Sequence, residues 1–325
     1  MPPTTNMFSA FKKKNVLITG ISGFIGSSIA KRLLDHGVQV SGTIRASSQL
    51  DKLKEVENEI DFHVLDLENE KEVENLFQKV APDYIIHAAQ PSAYDLDRSS
   101  ALQHQLNTTS KIAINLLESV RKHSPKRMVH CCGSAIYGRK NTSPFSENQE
   151  LKADSARGLV KLQERNLMRY YAHKYDVPVT LARIFRAYGP WDSHKKLIIK
   201  SIKAIKNDAS IPLSSAPFMR DFIFIDDLVE GIMRMCLSDL PNGTELNLGS
   251  GHQYSAKEIV EEIEKLMGKK MNTSEASFPA NFLDKLAYQA DLNHIAKVLN
   301  WKPRTSVTDG LRKTIDWYSQ IQDNA

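Results

Sequence analysis

Residues 16–26 read Val16-Leu17-Ile18-Thr19-Gly20-Ile21-Ser22-Gly23-Phe24-Ile25-Gly26, and the fold hangs on how this stretch is read. An apolar β-rich run ends at a glycine, and two further glycines follow at intervals of three before a helical pattern begins. Glycines so placed between a strand and a helix let the backbone turn tightly and approach a pyrophosphate closely. The helix N-terminus then aims N–H groups and the positive end of its dipole at the anion. A glycine triplet alone marks only a turn; with a strand before it and a helix after it, Gly20, Gly23, Phe24, Ile25 and Gly26 predict nucleotide binding.

Outward from this loop the first half of the chain alternates short apolar runs with helices. The helix from Gly26 to His36 is followed by strands at Val38–Val40 and Phe62–Leu65, a charged helix through Leu76, and a strand over Asp83–His87. A long helix covers about 101–123, and strands resume at Arg127–His130 and Val177–Leu181. This alternation predicts an α/β fold, a doubly wound parallel sheet of Rossmann type. After Pro190 the pattern becomes irregular, with helices near 195–206, 226–238, 255–267 and 307–320. The expected organisation is an N-terminal tail over 1–14, a dinucleotide domain over 15–190, and a smaller mixed α/β substrate lobe over 191–325, with some chain crossing back.

Composition narrows the classes. Of 325 residues, 41% are hydrophobic and 25% charged, as in an ordinary globular chain. The net charge, 43 − 38 = +5, is mild and its basic residues are interleaved with acids, so nucleic acid is not an expected partner. Cys131, Cys132 and Cys236 have neither zinc-ligand spacing nor a disulfide framework, which suggests a reducing compartment and no metal site. No apolar run approaches the roughly 18–20 residues of a membrane span, and the first residues lack a signal-peptide core, so a cytoplasmic protein is expected.

The cofactor's second phosphate is read further along. About 20 residues past the glycines, folds of this kind use an acid for a ribose hydroxyl or an arginine for a 2′-phosphate. The strand here runs out through Ile44-Arg45-Ala46-Ser47-Ser48 with no acid, which favours NADP(H) over NAD(H). The same Arg45 is also compatible with a solvated residue leaving a strand.

Further motifs then fall in order: Thr19 to Gly26, Asp66-Leu67, His87-Ala88-Ala89, Asn107, Asn115-Leu116-Leu117 and Ile136-Tyr137-Gly138. Beyond them come Arg183-Ile184-Phe185-Arg186-Ala187-Tyr188-Gly189-Pro190, Arg220-Asp221-Phe222 through Asp226-Asp227, Asn247 through Gly251, and Asp291 through Trp301-Lys302-Pro303. Together these resemble the extended short-chain dehydrogenase/reductase family, in its nucleotide-sugar epimerase/dehydratase branch, over nearly the whole chain. The resemblance implies NAD(P) held by the loop glycines, Asp66, Leu67, Ala88, Ala89 and Asn107, and a nucleoside-diphosphate sugar held by the C-terminal lobe. It implies that Arg220 contacts the substrate pyrophosphate, although an ion pair with its neighbour Asp221 fits the same sequence. It also implies a homodimer built on the helix near 101–123 and the helix carrying Lys161. Asp226 is expected to cap the following helix.

The resemblance breaks at the chemistry. The family uses a tyrosine four residues before a lysine, plus a Ser or Thr four residues before the tyrosine of its Val-Tyr-Gly strand end. Lys161 occupies the lysine's place, where the resemblance implies a hold on the nicotinamide ribose, but Arg157 stands for the tyrosine and Gly133 for the hydroxyl residue. Arginine stays protonated and cannot serve as the base. The family's Asn in its Phe-Asn-x-Tyr-Gly-Pro segment is replaced by Arg186, so two arginines fall where substrate is expected. That pattern fits a more anionic ligand, a rebuilt pocket, or drift in a site no longer selected for chemistry. Ser134 and Ser155 adjoin the altered positions, and Tyr94 lies in a loop that often contacts substrate in the family; His87, Cys131 and Cys132 read as structural. Three functions remain open: an enzyme acting on a nucleotide sugar (epimerase, 4-keto reductase or dehydratase type), a non-catalytic regulator or partner subunit, and an oxidoreductase for a non-sugar carbonyl.

Overall fold

The computed structural model describes residues 7–90, 99–138, 142–213, 219–275 and 287–323. Its core is a seven-stranded parallel sheet built from β1 (Asn15–Thr19), β2 (Gln39–Ile44), β3 (Ile60–Val64), β4 (Tyr84–His87), β5 (Arg127–Gly133), β6 (Val179–Ile184) and, from far along the chain, β10 (Glu245–Leu248). The spatial order is β10-β6-β5-β4-β1-β2-β3, so the order reverses between β1 and β4.

Why this segment forms a central strand is visible in its packing. Val16 and Ile18 belong to one apolar cluster and Leu17 to the other, because successive strand side chains point to opposite faces. Ile85 and Ile86 of β4 divide in the same way. A strand buried on both faces needs helices on both faces. One face is covered by α1 (Phe24–Leu34) and by α6 (Ile225–Leu237), which pack on each other. The other carries α2 (Glu70–Val80), α3 (Ser99–His123) and α4 (Ala156–Tyr175), packed in sequence order.

The smaller lobe consists of β7 (Arg186–Tyr188), α5 (Leu197–Lys206), β8 (Ser210–Leu213), β9 (Met219–Phe224), β11 (Gln253–Ser255), α7 (Ala256–Met267), β12 (Asn272–Glu275), β13 (Ala287–Tyr288), α8 (Asn293–Leu299) and α9 (Val307–Asp323). Strand β9 is its hub, pairing with β7, β11 and β13. A buried charge network joins the lobe's returning strand to the main sheet. Arg183 on β6 donates to Glu245 of β10 from Nε at 2.9 Å and Nη2 at 2.7 Å, and from Nη1 to the Tyr137 hydroxyl at 2.7 Å. Arg165 of α4 reaches the same carboxylate.

Two expectations are corrected. The segment read as a tail docks from Met7 onward: a 3-10 turn over Phe8–Phe11 stacks Phe8 on His36 and buries Phe11 against Tyr84. Two large apolar rings stabilise more by burial than by staying in water. Asp226 does not cap its helix. The N-cap position is Phe224, and Asp226 lies inside the first turn, 3.8 Å from both Arg32 and Lys313, where its charge still suits the helix dipole.

Candidate active site

The glycine loop closes the gap between β1 and β4. Gly20 has φ +70°, and a Cβ there would come within 2.6 Å of Ala89 Cα and N, so backbone freedom and space both demand glycine. A Cβ on Gly26 would strike the Gly20 carbonyl, which lets α1 start directly on the turn. The N-cap of α1 is Gly23, with no side-chain cap, so its leading N–H groups remain available to an anion. Ala88 and Ala89 follow β4 beside this turn, with the Ala88 N–H donating to Thr19 O at 3.1 Å. The loop stands at the carboxyl ends of the strands, where the strand order reverses, the usual crevice for a ligand in this architecture.

At the outer end, Arg45 is exposed just after β2, its backbone N–H donating to Ser48 Oγ at 2.9 Å; among the described residues its side chain has no ion-pair partner. Asp66 follows β3 and is also exposed, while the carbonyl of buried Leu67 accepts from Asn115 Nδ2 at 2.9 Å. Asn107 lies on an exposed position of α3.

Lys161 and Glu164 share one face of α4, three residues apart. Lys161 Nζ donates to the Cys131 carbonyl at 3.2 Å and to Glu164 at 3.4 Å. Glu164 is 1% exposed, and Gln90 Nε2 donates to both of its oxygens at 3.1 Å. His87 Nε2 and His130 Nε2 each stand 3.4 Å from it. His87 Nδ1 lies 2.7 Å from Thr19 Oγ1, a hydrogen bond between the ends of β1 and β4. Burial opposes ionisation of Glu164, yet His130 and Lys161 outweigh it and hold the carboxyl well below the usual carboxylate range. Burial likewise holds His130 below the ordinary imidazole value, against the pull of Glu164. The two imidazoles and the carboxylate bring three groups of metal-ligating type within 4.8 Å, and the carboxylate is already engaged by Lys161 and Gln90, whose donors its charge satisfies. None of Glu164, His130 and Gln90 is picked out from the sequence as a member of the site. The signal available was a glutamate on the same helical face as the lysine.

Around the altered positions, Arg157 sits exposed in the first turn of α4, behind its N-cap Ser155, whose Oγ accepts from the Gly158 N–H at 3.1 Å. Ser134 opens a 3-10 turn after β5 and is half-buried. Gly133 is extended, and a Cβ there would meet nothing nearer than Ile184 O at 4.0 Å. Tyr137 is fully buried; burial pushes its hydroxyl up to about 12, and it donates to Asn247 Oδ1 at 2.7 Å, so it is a packed structural group. Cys131 and Cys132 are free and buried, their thiols pushed by burial up to about 12 and about 11. Arg186 is exposed at the start of β7 with its guanidinium 5.8 Å from the Phe222 ring. Arg220 lies 4.9 Å from the Tyr288 ring and donates to Met219 O at 3.1 Å. Asp221 turns instead to the backbone N–H groups of Gly251 and Ala290, at 2.9 and 3.0 Å. Tyr94 lies outside the described residues.

A glycine turn at the switch point of a doubly wound sheet, with a lysine-bearing helix across the adjacent strands, defines a Rossmann-type protein of the short-chain dehydrogenase/reductase class. The sequence model of the GDP-mannose 4,6-dehydratase family matches residues 17–314, and the chain belongs to that family. It is 28% identical over 336 residues to Protein CapI of Staphylococcus aureus, covering 93% of this chain and 98% of the relative. It is 30% identical over 338 residues to a probable UDP-glucuronate 4-epimerase of Rhizobium meliloti, covering 94% and 96%. The solved UDP-glucuronic acid 4-epimerase of Bacillus cereus, in complex with UDP-glucuronic acid and NAD, superposes with a TM-score of 0.82 at 24% identity, covering 94% of this chain and 99% of that one. Among the described residues, no helix is long and apolar enough to cross a membrane.

Proposed function

We propose that the chain is an NAD(P)-dependent enzyme that modifies a nucleoside-diphosphate sugar, of epimerase, 4-keto reductase or dehydratase type, through an atypical active site in which Arg157 replaces the usual tyrosine. The observation that carries this reading is the glycine turn closed onto Ala89 beneath the uncapped N-terminus of α1, a cradle shaped for a pyrophosphate. Lys161 in this reading holds the nicotinamide ribose, Ser134 adjoins the reacting oxygen, and Arg220 and the lobe from residue 191 hold the substrate's nucleotide half. Membership of the epimerase/dehydratase family and the UDP-sugar names of the relatives support the substrate class.

Finer features belong to the same reading. Arg45, exposed and without an ion-pair partner among the described residues, favours NADP(H), although the solved relative above holds NAD. A homodimer through α3 and α4 is supported by Ile114, Leu159, Tyr170 and Tyr175, apolar residues left 38%, 43%, 53% and 43% exposed on these helices. Free, buried cysteines suit the reducing cytoplasm.

One observation favours a second reading, a non-catalytic regulator or partner subunit: a guanidinium cannot take the proton that the family's tyrosine takes. The test is to titrate the protein with NADPH and NADH by fluorescence, then follow nicotinamide absorbance with a panel of nucleotide sugars. Turnover of one of them, lost in Lys161→Ala, is the expected result. Tight dinucleotide binding with no turnover of any sugar establishes the second reading instead.

A further inference from the structure

The chain path draws Arg157 and Arg186 to the two sides of one short segment. Gly133 at the end of β5 pairs with Ile184 at the end of β6, and Arg186 follows two residues later. Gly158, next to Arg157, lies so close to the turn that a Cβ would come within 2.6 Å of the Ala135 carbonyl. Residues 133–135 are therefore flanked by an arginine from α4 and an arginine from β7. Both side chains reach solvent, and among the described residues neither has an ion-pair or hydrogen-bond partner.

The placement is electrostatically unfavourable. Arg157 occupies the first turn of α4, where no acid is present and the helix dipole repels a cation. Arg186 is exposed at the start of β7. Desolvation pushes its guanidinium down, Asp192 opposes this, and the charge of Arg157 adds to the downward push. Asp192 is itself taken by Lys196, at 2.7 Å. Two exposed guanidiniums without an ion-pair partner among the described residues, on either side of one segment and beside the N-terminus of α4, are what an oxyanion would neutralise, and guanidiniums bind such groups through paired N–H donors.

We propose that Arg157 and Arg186 form a clamp for an oxyanion carried on the sugar half of the ligand, making them specificity determinants for an acidic nucleotide sugar. This rests on the nucleotide-sugar reading above and adds to it the charge of the sugar. The clamp gives the arginine that displaced the tyrosine a binding role in place of a proton-transfer role.

Calorimetric titration of the full chain with NADPH present, using UDP, UDP-glucose and UDP-glucuronate as probes, tests it. UDP-glucuronate is expected to bind at least about tenfold more tightly than UDP-glucose. Arg157→Met and Arg186→Met should each remove most of that preference while leaving UDP affinity unchanged, and Arg157→Lys should keep part of it. Both residues are exposed, so the thermal transition of the variants should match the parent's. Equal affinity for the two sugars alongside firm UDP binding overturns the clamp and leaves the nucleotide-sugar reading standing. Failure of all three probes to bind overturns both.

Discussion

The Glu164 carboxylate and the Lys161 ammonium lie 3.4 Å apart on one face of α4, the first 1% and the second 13% exposed at the side chain. The carboxylate that holds Lys161 is itself held by Gln90 and faced by two histidines. Through His87 and Thr19 the same cluster reaches the strand end that leads into the glycine turn. The glycine turn and Lys161 are therefore joined through one buried polar cluster, in which Glu164 is the common acceptor for Lys161 and Gln90.

Removing the carboxylate should expose that cost. Glu164→Gln leaves a nearly buried ammonium without its counter-charge, and breaking such a pair costs about 3 kcal/mol or more. Urea unfolding of the variant against the parent measures it. A loss under about 1 kcal/mol would mean the network is solvent-screened.

Stability should fall on the acid side in two stages. Glu164 is held well below its ordinary 4.5, so its contribution is fully present above that pH and is lost as pH drops through the folded value. His130 is held below its ordinary 6.5, so the unfolded chain takes up a proton below that pH before the folded one does. Both signs agree: unfolding free energy rises with pH, below 6.5 through His130 and below 4.5 through Glu164. In His130→Gln the step below 6.5 should vanish and the lower one shrink, because His130 is one of the groups that hold Glu164 down; a variant profile identical to the parent's would refute the assignment.

Gly20→Ala should abolish dinucleotide binding. The new Cβ meets Ala89 backbone at 2.6 Å in a left-handed conformation, at a strain cost of about 1–3 kcal/mol. Fluorescence titration with NADPH reads the binding, and parent-like affinity would place the pyrophosphate elsewhere.

Restoring the family's proton-transfer groups should raise turnover. Gly133 is extended with open space around its missing Cβ, so Gly133→Ser is accommodated without strain. Combined with Arg157→Tyr it rebuilds the hydroxyl pair beside Lys161, and a gain of about 10²-fold in nicotinamide turnover with a neutral UDP sugar is expected. No gain in the double variant would show that the pocket has changed beyond these two positions.

Arg45→Ala should weaken NADPH by about tenfold and leave NADH affinity unchanged, since only the former carries the 2′-phosphate. Equal effects on both, or none, would return Arg45 to a solvated strand end.

Much of this is legible in the amino-acid sequence. The glycine spacing, the strand–helix alternation and the ordered motifs are local or periodic features, and the elements formed within a few residues of where those patterns put them. Helix α1 starts at Phe24, two residues before Gly26, because Gly23 acts as its N-cap. The Glu164 network was not legible, since His87, His130 and Glu164 are far apart in the chain and carry no motif spacing. The burial of Phe8 and Phe11 was equally hidden, because two aromatic rings in a short segment show no period that separates a docked turn from a free tail.

What the amino-acid sequence determined by itself is the fold and the glycine turn at the end of β1, because each depends on residue type at a fixed local spacing. Tertiary structure alone decided which charges are compensated. It gave Lys161 a buried carboxylate, left Arg157 and Arg186 without one among the described residues on either side of residues 133–135, and did so by crossing β5, β6 and α4 at one place. Charge compensation depends on distance and burial, and neither is written in the order of residues along a chain.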